Sequence, residues 1–478
     1  MRRLAWYAVS PMAAVLLGTA AWMTVWACGG YGSARLTARE LAAADNGESA
    51  ALVGELRALG PEGLEAILAI RDAAAVEEGP LASQSPIGPP PKPSERMTRL
   101  DALVDRVAAQ RGASMSRLYW YTDLDAALAA AKTSGRPVLS LRMLGNLTDE
   151  CSCANSRFFR TTLYANAELS KHLRENFVLH WRSVRPVPKV TIDFGDGRKL
   201  VRTVTGNSIH YVLDAEGRLI DGLPGLYGPR AFRRWLDEAS TIAKAADSLP
   251  VEQRADYLVA YHKQRADAIR HEWTSDLKMV APEVAEALMR EETGRVDAAE
   301  RENAKAPAAT KAAPLSPTKS AVELVVVREI AASSEGLERA TGDDVWTKIA
   351  ALHAEDAKLD AASVEIIRRE NPPTAEEAGR RAFGKYQVED PIVRMVRNFE
   401  SSIAVDTVKN EYLLHRQLHQ WLAEAAGDVD VETLNERVYA QLFLTPSSDP
   451  WLGLAPADTY TALENGGAAA ENRRSDKQ

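Results

Sequence analysis

From its amino end the chain runs Met1-Arg2-Arg3 and then an almost uninterrupted apolar segment, Leu4 to Cys28. That segment exceeds the roughly 20 residues needed to cross a bilayer. With Arg2 and Arg3 held inside, it predicts a transmembrane anchor or signal that leaves everything after Gly30 on the outer face. The pattern then turns helical. Thr37 to Ala75 reads as a helical pair broken at Gly60-Pro61-Glu62, with Leu52, Leu56 and Leu59 facing Leu64, Ile67 and Leu68. No further copy follows at a fixed period, so a solenoid is not predicted. Pro86 and Pro89-Pro90-Pro91-Lys92-Pro93 form a stiff spacer, and Leu100 to Gln110 makes the next helix.

The middle of the chain alternates between two periods. Leu118-Tyr119-Trp120-Tyr121 reads as a short aromatic strand, followed by a helix from Leu124 to Lys132 that Asp123 can cap. Pro137 to Leu144 is an apolar run behind Gly135-Arg136, the profile of a buried strand. Ala154 to Leu163 carries Phe158, Phe159 and Leu163 at helical spacing, and Asn166 to Glu175 is a second helix. Phe177 to Trp181 reads as a strand. Val190 to Thr205 alternates around Gly195-Asp196-Gly197, and Ile209 to Leu213 pairs with Arg218-Leu219-Ile220 across a four-residue turn. A helix from Pro229 to about Ala243 closes this region, with proline in its first turn.

Beyond Ala243 the pattern is helical throughout. Val251 to Glu302 carries Tyr257, Tyr261 and Trp273 as packing residues, and Ala304 to Pro317 is a linker rich in Ala, Pro and Lys. Helices are predicted over Lys319 to Arg339, Asp344 to Glu370, from Thr374 onward, Asp406 to Ala425 and Val431 to Leu444. Thr445 to Leu454 holds Pro446, Pro450 and Gly453 beside Trp451, a turn with an apolar anchor that clasps the helical region or presents Trp451 to a partner. The division expected is a signal anchor over 1–30, a helical hairpin over 31–80 and a proline-rich linker over 81–97. An α/β domain follows over 98–245, then a helical extension over 246–303, a linker over 304–318, a helical domain over 319–465 and a polar tail over 466–478.

Composition changes this picture little. The 478 residues are 46% hydrophobic and 26% charged, ordinary for a globular chain, and the net charge of −8 with no basic aromatic patch argues against nucleic-acid binding. The cysteines change it more. Only three occur, too few for a disulfide framework in an outward-facing protein, and two of them form Cys151-Ser152-Cys153. That pair sits where the apolar strand runs into a helix, and a helix N-terminus favours thiolate over thiol. Bridged Cα atoms lie about 4.4–6.8 Å apart, which residues two apart can satisfy if Cys151 stays outside the helix. Arg157, one turn after Cys153, favours its thiolate, while Asp149 and Glu150 oppose that of Cys151. The competing reading is a helix cap in which Cys153 is a small buried apolar residue.

The β-α-β-α-β-β-β-α order over Leu118 to Ala243 resembles the thioredoxin-like superfamily, in particular its larger, envelope-targeted bacterial members. The resemblance rests on Gly135-Arg136-Pro137-Val138-Leu139, on the cysteine position, on Glu175-Asn176-Phe177-Val178 and on Tyr211-Val212-Leu213-Asp214-Ala215-Glu216-Gly217-Arg218. It implies a mixed central sheet flanked by helices, and thiol–disulfide exchange with envelope clients in which Cys153 attacks and Cys151 resolves. Two positions depart from the family: Cys-x-Cys replaces Cys-x-x-Cys, and Asn207-Ser208-Ile209 stands where a cis-proline is usual. Ser208 and His210 are thereby placed beside the thiols as auxiliary candidates. The alternative is a redox-silent thioredoxin-like scaffold whose helical C-terminal region binds a protein partner.

Three further signals complete the reading. Val25-Trp26-Ala27-Cys28 resembles the lipobox of bacterial lipoproteins, which makes Cys28 a lipidation candidate. Glu411, His415 and His419 fall at i, i+4 and i+8 of one helix, a weak metal-ligand pattern that is also an ordinary helix-stabilising arrangement. Metal binding by the two cysteines would need His172 or His180 recruited from elsewhere. No cofactor motif is present. The chain is expected at the bacterial inner membrane, single-pass or lipid-anchored through residues 4–28, with its bulk on the periplasmic face and proteins as its partners.

Overall fold

The structure, a computed structural model, describes residues 32–44, 49–79, 93–203, 206–283, 285, 343–371, 391–425 and 429–449. The apolar run with Cys28, residues 81–92 of the first expected linker, the linker over 304–318, the helix over 319–339, the helix from Thr374 and Trp451 all lie outside these residues, while residues 95–97, expected in the first linker, are helical. No helix among the described residues is long and apolar enough to cross a membrane.

Helices α1 (residues 32–43), α2 (Ser49–Ala58), α3 (Pro61–Glu78) and α4 (Glu95–Ala108) form a bundle with its own apolar cluster, in which Leu56, Leu64, Ile67, Val104 and Val107 are buried. The expected pair over Thr37 to Ala75 falls in α1, α2 and α3, and the helix expected over Leu100 to Gln110 is α4. Arg57 ties this bundle to the central region by donating to the carbonyls of Val107 and Trp120.

The central region is a mixed sheet flanked by helices. Helix α5 (Leu124–Ser134) starts where Asp123 accepts from Ala126 N at 2.8 Å and ends at Gly135 in the left-handed region. β1 (Val138–Leu144) is buried along its whole length, as a strand covered on both faces should be. β2 (Val178–Arg185) runs parallel to it, β5 (Ser208–Leu213) pairs antiparallel on its other side, and β6 (Leu219–Pro224) pairs antiparallel with β5. The order is therefore β2-β1-β5-β6. The aromatic strand expected at Leu118 to Tyr121 contributes one parallel bridge, Tyr121 to His180, at the β2 edge. β3 (Lys189–Asp193) and β4 (Lys199–Thr203) form a separate hairpin that projects with Phe194 exposed at its tip. Helices α6 (Ala154–Phe158, continued by a π turn over Phe159–Leu163), α7 (Ala167–Asn176) and α8 (Pro229–Asp247) complete the layer.

The C-terminal part is helical. α9 (Val251–Val280) packs against α13 (Arg416–Glu424), which continues α12 (Pro391–Lys409) through a π turn over Asn410–His415. The single helix expected over Asp344 to Glu370 is instead two, α10 (Asp343–Leu352) and α11 (Ala361–Glu370), separated by a 3₁₀ turn over Ala354–Ala357. The break has a local cause: Asp360 accepts from Ser363 N at 2.9 Å and caps a new helix. α14 (Val431–Arg437) ends in a third π turn, Val438–Leu442.

These helices share their core with the sheet. One apolar cluster runs from Trp120, Leu139 and Val212 through Phe232 to Ile403, Leu418, Trp421, Leu434 and Tyr439. A polar tie reinforces it. Arg142, 1% exposed in the middle of β1, donates to Glu432 Oε1 on α14 at 2.7 Å. A buried guanidinium without that carboxylate would carry a large desolvation cost, so the pair pins α14 to the sheet.

Candidate functional site

The cysteine corner lies after β1. Its loop turns at Gly145 and leads to Cys151, which is half-buried, and Cys153, which is 0% exposed. Cys153 occupies the N-cap of α6 and its Sγ accepts from Ser156 N at 3.4 Å. Both residues are thiols, with no disulfide between them. Arg157 donates to Thr203 Oγ1 at 3.1 Å, toward the β4 hairpin. Arg160 holds the loop, donating to Asp149 O at 2.9 Å and Ser152 Oγ at 3.2 Å. Burial, with Arg111 nearby, pushes its guanidinium down to about 10.

The corner is covered from the far end of the chain. Gly206 runs so close to α6 that a Cβ there would sit 2.8 Å from Ala154 N, a contact only glycine avoids. Beyond it, Asn207 Nδ2 donates to Thr445 Oγ1 at 3.3 Å, and Tyr439 OH donates to Asn207 O at 3.0 Å. Ser208 Oγ accepts from Asn155 Nδ2 at 2.7 Å, which does place this residue against the helix that Cys153 caps. His210 is buried in an aromatic nest, 4.8 Å from the Phe159 ring and 4.9 Å from Phe232, with Nε2 on Tyr164 OH at 2.8 Å. Burial holds it down to about 3, hence neutral. The structure thus joins Cys153 to Ser208 through α6, aims Arg157 at Thr203 and engages His210 with Tyr164. Arg160 was legible in principle, since it lies seven residues after Cys153 on the same helical face.

A second cluster forms where β6 meets the C-terminal helices. Asp221, on β6, is 0% exposed; its Oδ2 accepts from Tyr261 OH at 2.8 Å and Trp235 Nε1 at 3.2 Å, and its Oδ1 from Gly222 N at 2.7 Å. His415 Nε2 and His419 Nε2 point at that Oδ1 from 3.9 and 3.8 Å. Both nitrogens are buried and without a hydrogen-bond partner. The other ring nitrogens are engaged: His415 Nδ1 meets Glu411 Oε2 at 2.9 Å, and His419 Nδ1 meets His262 Nδ1 at 2.8 Å. Arg265 in turn donates to Glu411 Oε1 at 2.9 Å.

Local sequence explains the convergence. In a regular α-helix a four-residue step turns the face by about 40°. The π turn over Asn410–His415 holds more residues per turn and takes up part of that drift, so Glu411, His415 and His419 stay in line. At its start Asn410 lies so close to Gly225 that a Cβ there would meet the amide at 2.5 Å, and Asn410 Nδ2 donates to Leu226 O at 2.8 Å. The end of β6 is thereby docked on the π turn. Although burial opposes charge, the three histidines hold Asp221 well below the ordinary carboxylate range. Burial likewise opposes charge on His415, but Glu411 and Asp221 push it up to about 9. His262 is pushed down to about 4 by burial, and His419 falls lower for the same reason.

A polar cavity of about 320 Å³, lined by His415, Glu411, Glu238, Arg234 and Tyr227, reaches the cluster from one side. A second, of about 230 Å³, reaches His262 from the other. The weak sequence pattern of Glu411, His415 and His419 is thus brought together, and Asp221 and His262 join it from elements the pattern did not include. Asp221 carried a signal of its own, as an acid inside the apolar run Leu219-Ile220-Asp221-Gly222-Leu223. No family model, curated protein or solved structure matches this chain.

Proposed function

We propose that this chain is an envelope protein, anchored through the apolar run at residues 4–28, whose α/β region is a thioredoxin-like unit serving as a redox-silent scaffold. Its helical C-terminal region is the part that engages a protein partner. The strand order β2-β1-β5-β6, with the cysteines at the helix that follows β1, supports the thioredoxin-like part of the reading. The observation that carries the scaffold assignment is Cys153: a thiol must be accessible to exchange, and this one is fully buried, accepting from Ser156 N, under a loop that Tyr439 and Thr445 cover. Exposed apolar side chains on the helical region, Leu352, Val393 and Met395, support partner binding there.

One observation favours thiol–disulfide exchange as a second reading, with Cys153 attacking and Cys151 resolving: Cys151 is half-exposed beside the N-terminus of α6. Alkylation of the full chain across a series of glutathione redox buffers, read by mass spectrometry, separates the two. A scaffold leaves Cys153 unmodified until the protein unfolds, with no bond forming to Cys151. A reversible Cys151–Cys153 bond in the folded protein would establish exchange and remove the scaffold assignment.

A further inference from the structure

We infer that the buried Asp221, His415 and His419 constellation is a binding site for a divalent first-row transition metal, with zinc the expected occupant. The donors are Asp221 Oδ1, His415 Nε2 and His419 Nε2. This inference is independent of the scaffold reading, since it concerns a different end of the sheet.

Four observations converge on it. First, two imidazole nitrogens in residues 1% and 0% exposed have no hydrogen-bond partner, yet both aim at one carboxylate oxygen. At 3.8 and 3.9 Å neither is hydrogen-bonded to it, and a buried polar atom left in that state costs about 1–3 kcal/mol. Donors about 2.0–2.2 Å from a shared tetrahedral ion lie roughly 3.3–3.6 Å apart, so each of the two Asp221–histidine distances needs only a few tenths of an ångström of contraction to share an ion.

Second, the outer contacts match what a metal requires of histidine. A ligating imidazole hands its other N–H to an acceptor, which fixes both tautomer and ring plane. His415 has Glu411 for this purpose and His419 has His262, and Arg265 secures Glu411 behind. Third, Tyr261 and Trp235 orient Asp221 through Oδ2, while Oδ1, which accepts from Gly222 N at 2.7 Å, keeps a second lone pair for the histidine side. Asp221, His262 and His419 also each offer a donor atom within 4.8 Å of the others. His262 stands directly behind His419 and completes the shell.

Fourth, there is a route in. His415 and Glu411 form part of the wall of the larger cavity, so an ion need not cross the apolar core. Nitrogen and oxygen donors without sulfur suit Zn(II), Co(II) or Fe(II) rather than a soft ion, and two histidines with one carboxylate are too few oxygens for Ca(II). Three protein donors leave a fourth tetrahedral position, the arrangement of sites that hold a water or a ligand.

The test uses the full chain in detergent, stripped with chelator, dialysed, and titrated with Zn(II) by calorimetry and with Co(II) by visible absorption. One equivalent of metal is expected, with tetrahedral Co(II) bands and no thiolate-to-cobalt charge transfer. His419→Ala and Asp221→Asn should abolish that equivalent, and Glu411→Gln, which touches no donor atom directly, should weaken it by about 10–100-fold. Cys151→Ser should leave it unchanged. Because the buried variants are exposed to misfolding, circular dichroism of each is compared with the metal-free parent, and the Co(II) spectrum of the parent alone already reports the donor type. Absence of a stoichiometric site in the parent, a thiolate band, or full binding by folded His419→Ala would each overturn the assignment.

Discussion

The two polar clusters of this protein are built at different places on one sheet and behave as opposites. At the cysteine corner Sγ of Cys153 accepts from a backbone N–H, Ser208 is engaged by Asn155, and His210 is bonded to Tyr164. At the histidine cluster the inner nitrogens of His415 and His419 face Asp221 without a hydrogen bond while their outer nitrogens are held in place. Burial is common to both. What differs is the arrangement: at the corner the thiol, Ser208 and His210 are each engaged and Asn155 Oδ1 stands without a hydrogen bond, whereas at the cluster two histidine nitrogens are aimed together at one carboxylate oxygen. The first arrangement stabilises; the second is suited to holding something, because leaving such atoms unmet has a standing cost that a ligand removes.

The largest effect is expected at Asp221. Asp221→Ala takes away the carboxylate that faces His415 and His419 and accepts from Tyr261 and Trp235, and should destabilise the chain by about 3–5 kcal/mol in urea unfolding. A loss below about 1 kcal/mol would break the comparison from the histidine side. Next comes Tyr439→Ala, which removes a buried ring and the donor to Asn207 O; a loss of about 3 kcal/mol is expected, together with alkylation of Cys153 in the folded state. Unchanged thiol protection in that variant would show that the C-terminal segment is not what covers the corner.

Metal should act on one cluster only. At a free Zn(II) concentration 100 times the dissociation constant, the chain should gain about 2.7 kcal/mol, lost again on adding chelator, with no change in Cys153 reactivity. The sheet adds an acid response to that of His262 and His419. Burial holds His180 and His210 down to about 3 in the folded state, against an ordinary value of 6.5. Above 6.5 neither state binds the proton; below it the unfolded chain does and the folded one does not. Stability should therefore fall as pH drops from 6.5 toward 3, by about 1.4 kcal/mol per pH unit for each histidine. His210→Phe should flatten that slope in a titration of unfolding free energy against pH. The smallest effect is expected for Cys153→Ser, since serine caps a helix at least as well as cysteine: within about 1 kcal/mol by thermal melting. A larger loss would mean that the sulfur is held by packing rather than by its place at the helix end.

The elements of the central sheet were readable because each depends on short-range pattern. The apolar run after Gly135-Arg136-Pro137 became the buried β1, the Gly195-Asp196-Gly197 signal became the β3–β4 hairpin, and Asp123 capped α5 as its position implied. The helix over Asp344 to Glu370 was not, because apolar spacing continues across the Asp360 cap and a 3₁₀ turn leaves the period nearly intact. Arg157, which local charge relates to the thiol, donates to Thr203, and Arg160, which the sequence reading did not single out, holds the loop.

The chain by itself therefore determined most of its periodic elements, their caps and turns, the position of the Cys151-Ser152-Cys153 pair at a helix start, and the four-residue spacing of Glu411, His415 and His419. These are properties of neighbours within a few residues. Only the tertiary structure decided that Cys153 is buried, that Asn207 beside α6 is held by Tyr439 and Thr445 from the far end of the chain, and that Asp221 and His262 meet His415 and His419. The reason is physical: solvent exposure and the shared orientation of donor atoms arise from packing distant segments, and no local period encodes which buried nitrogen will be left without a partner.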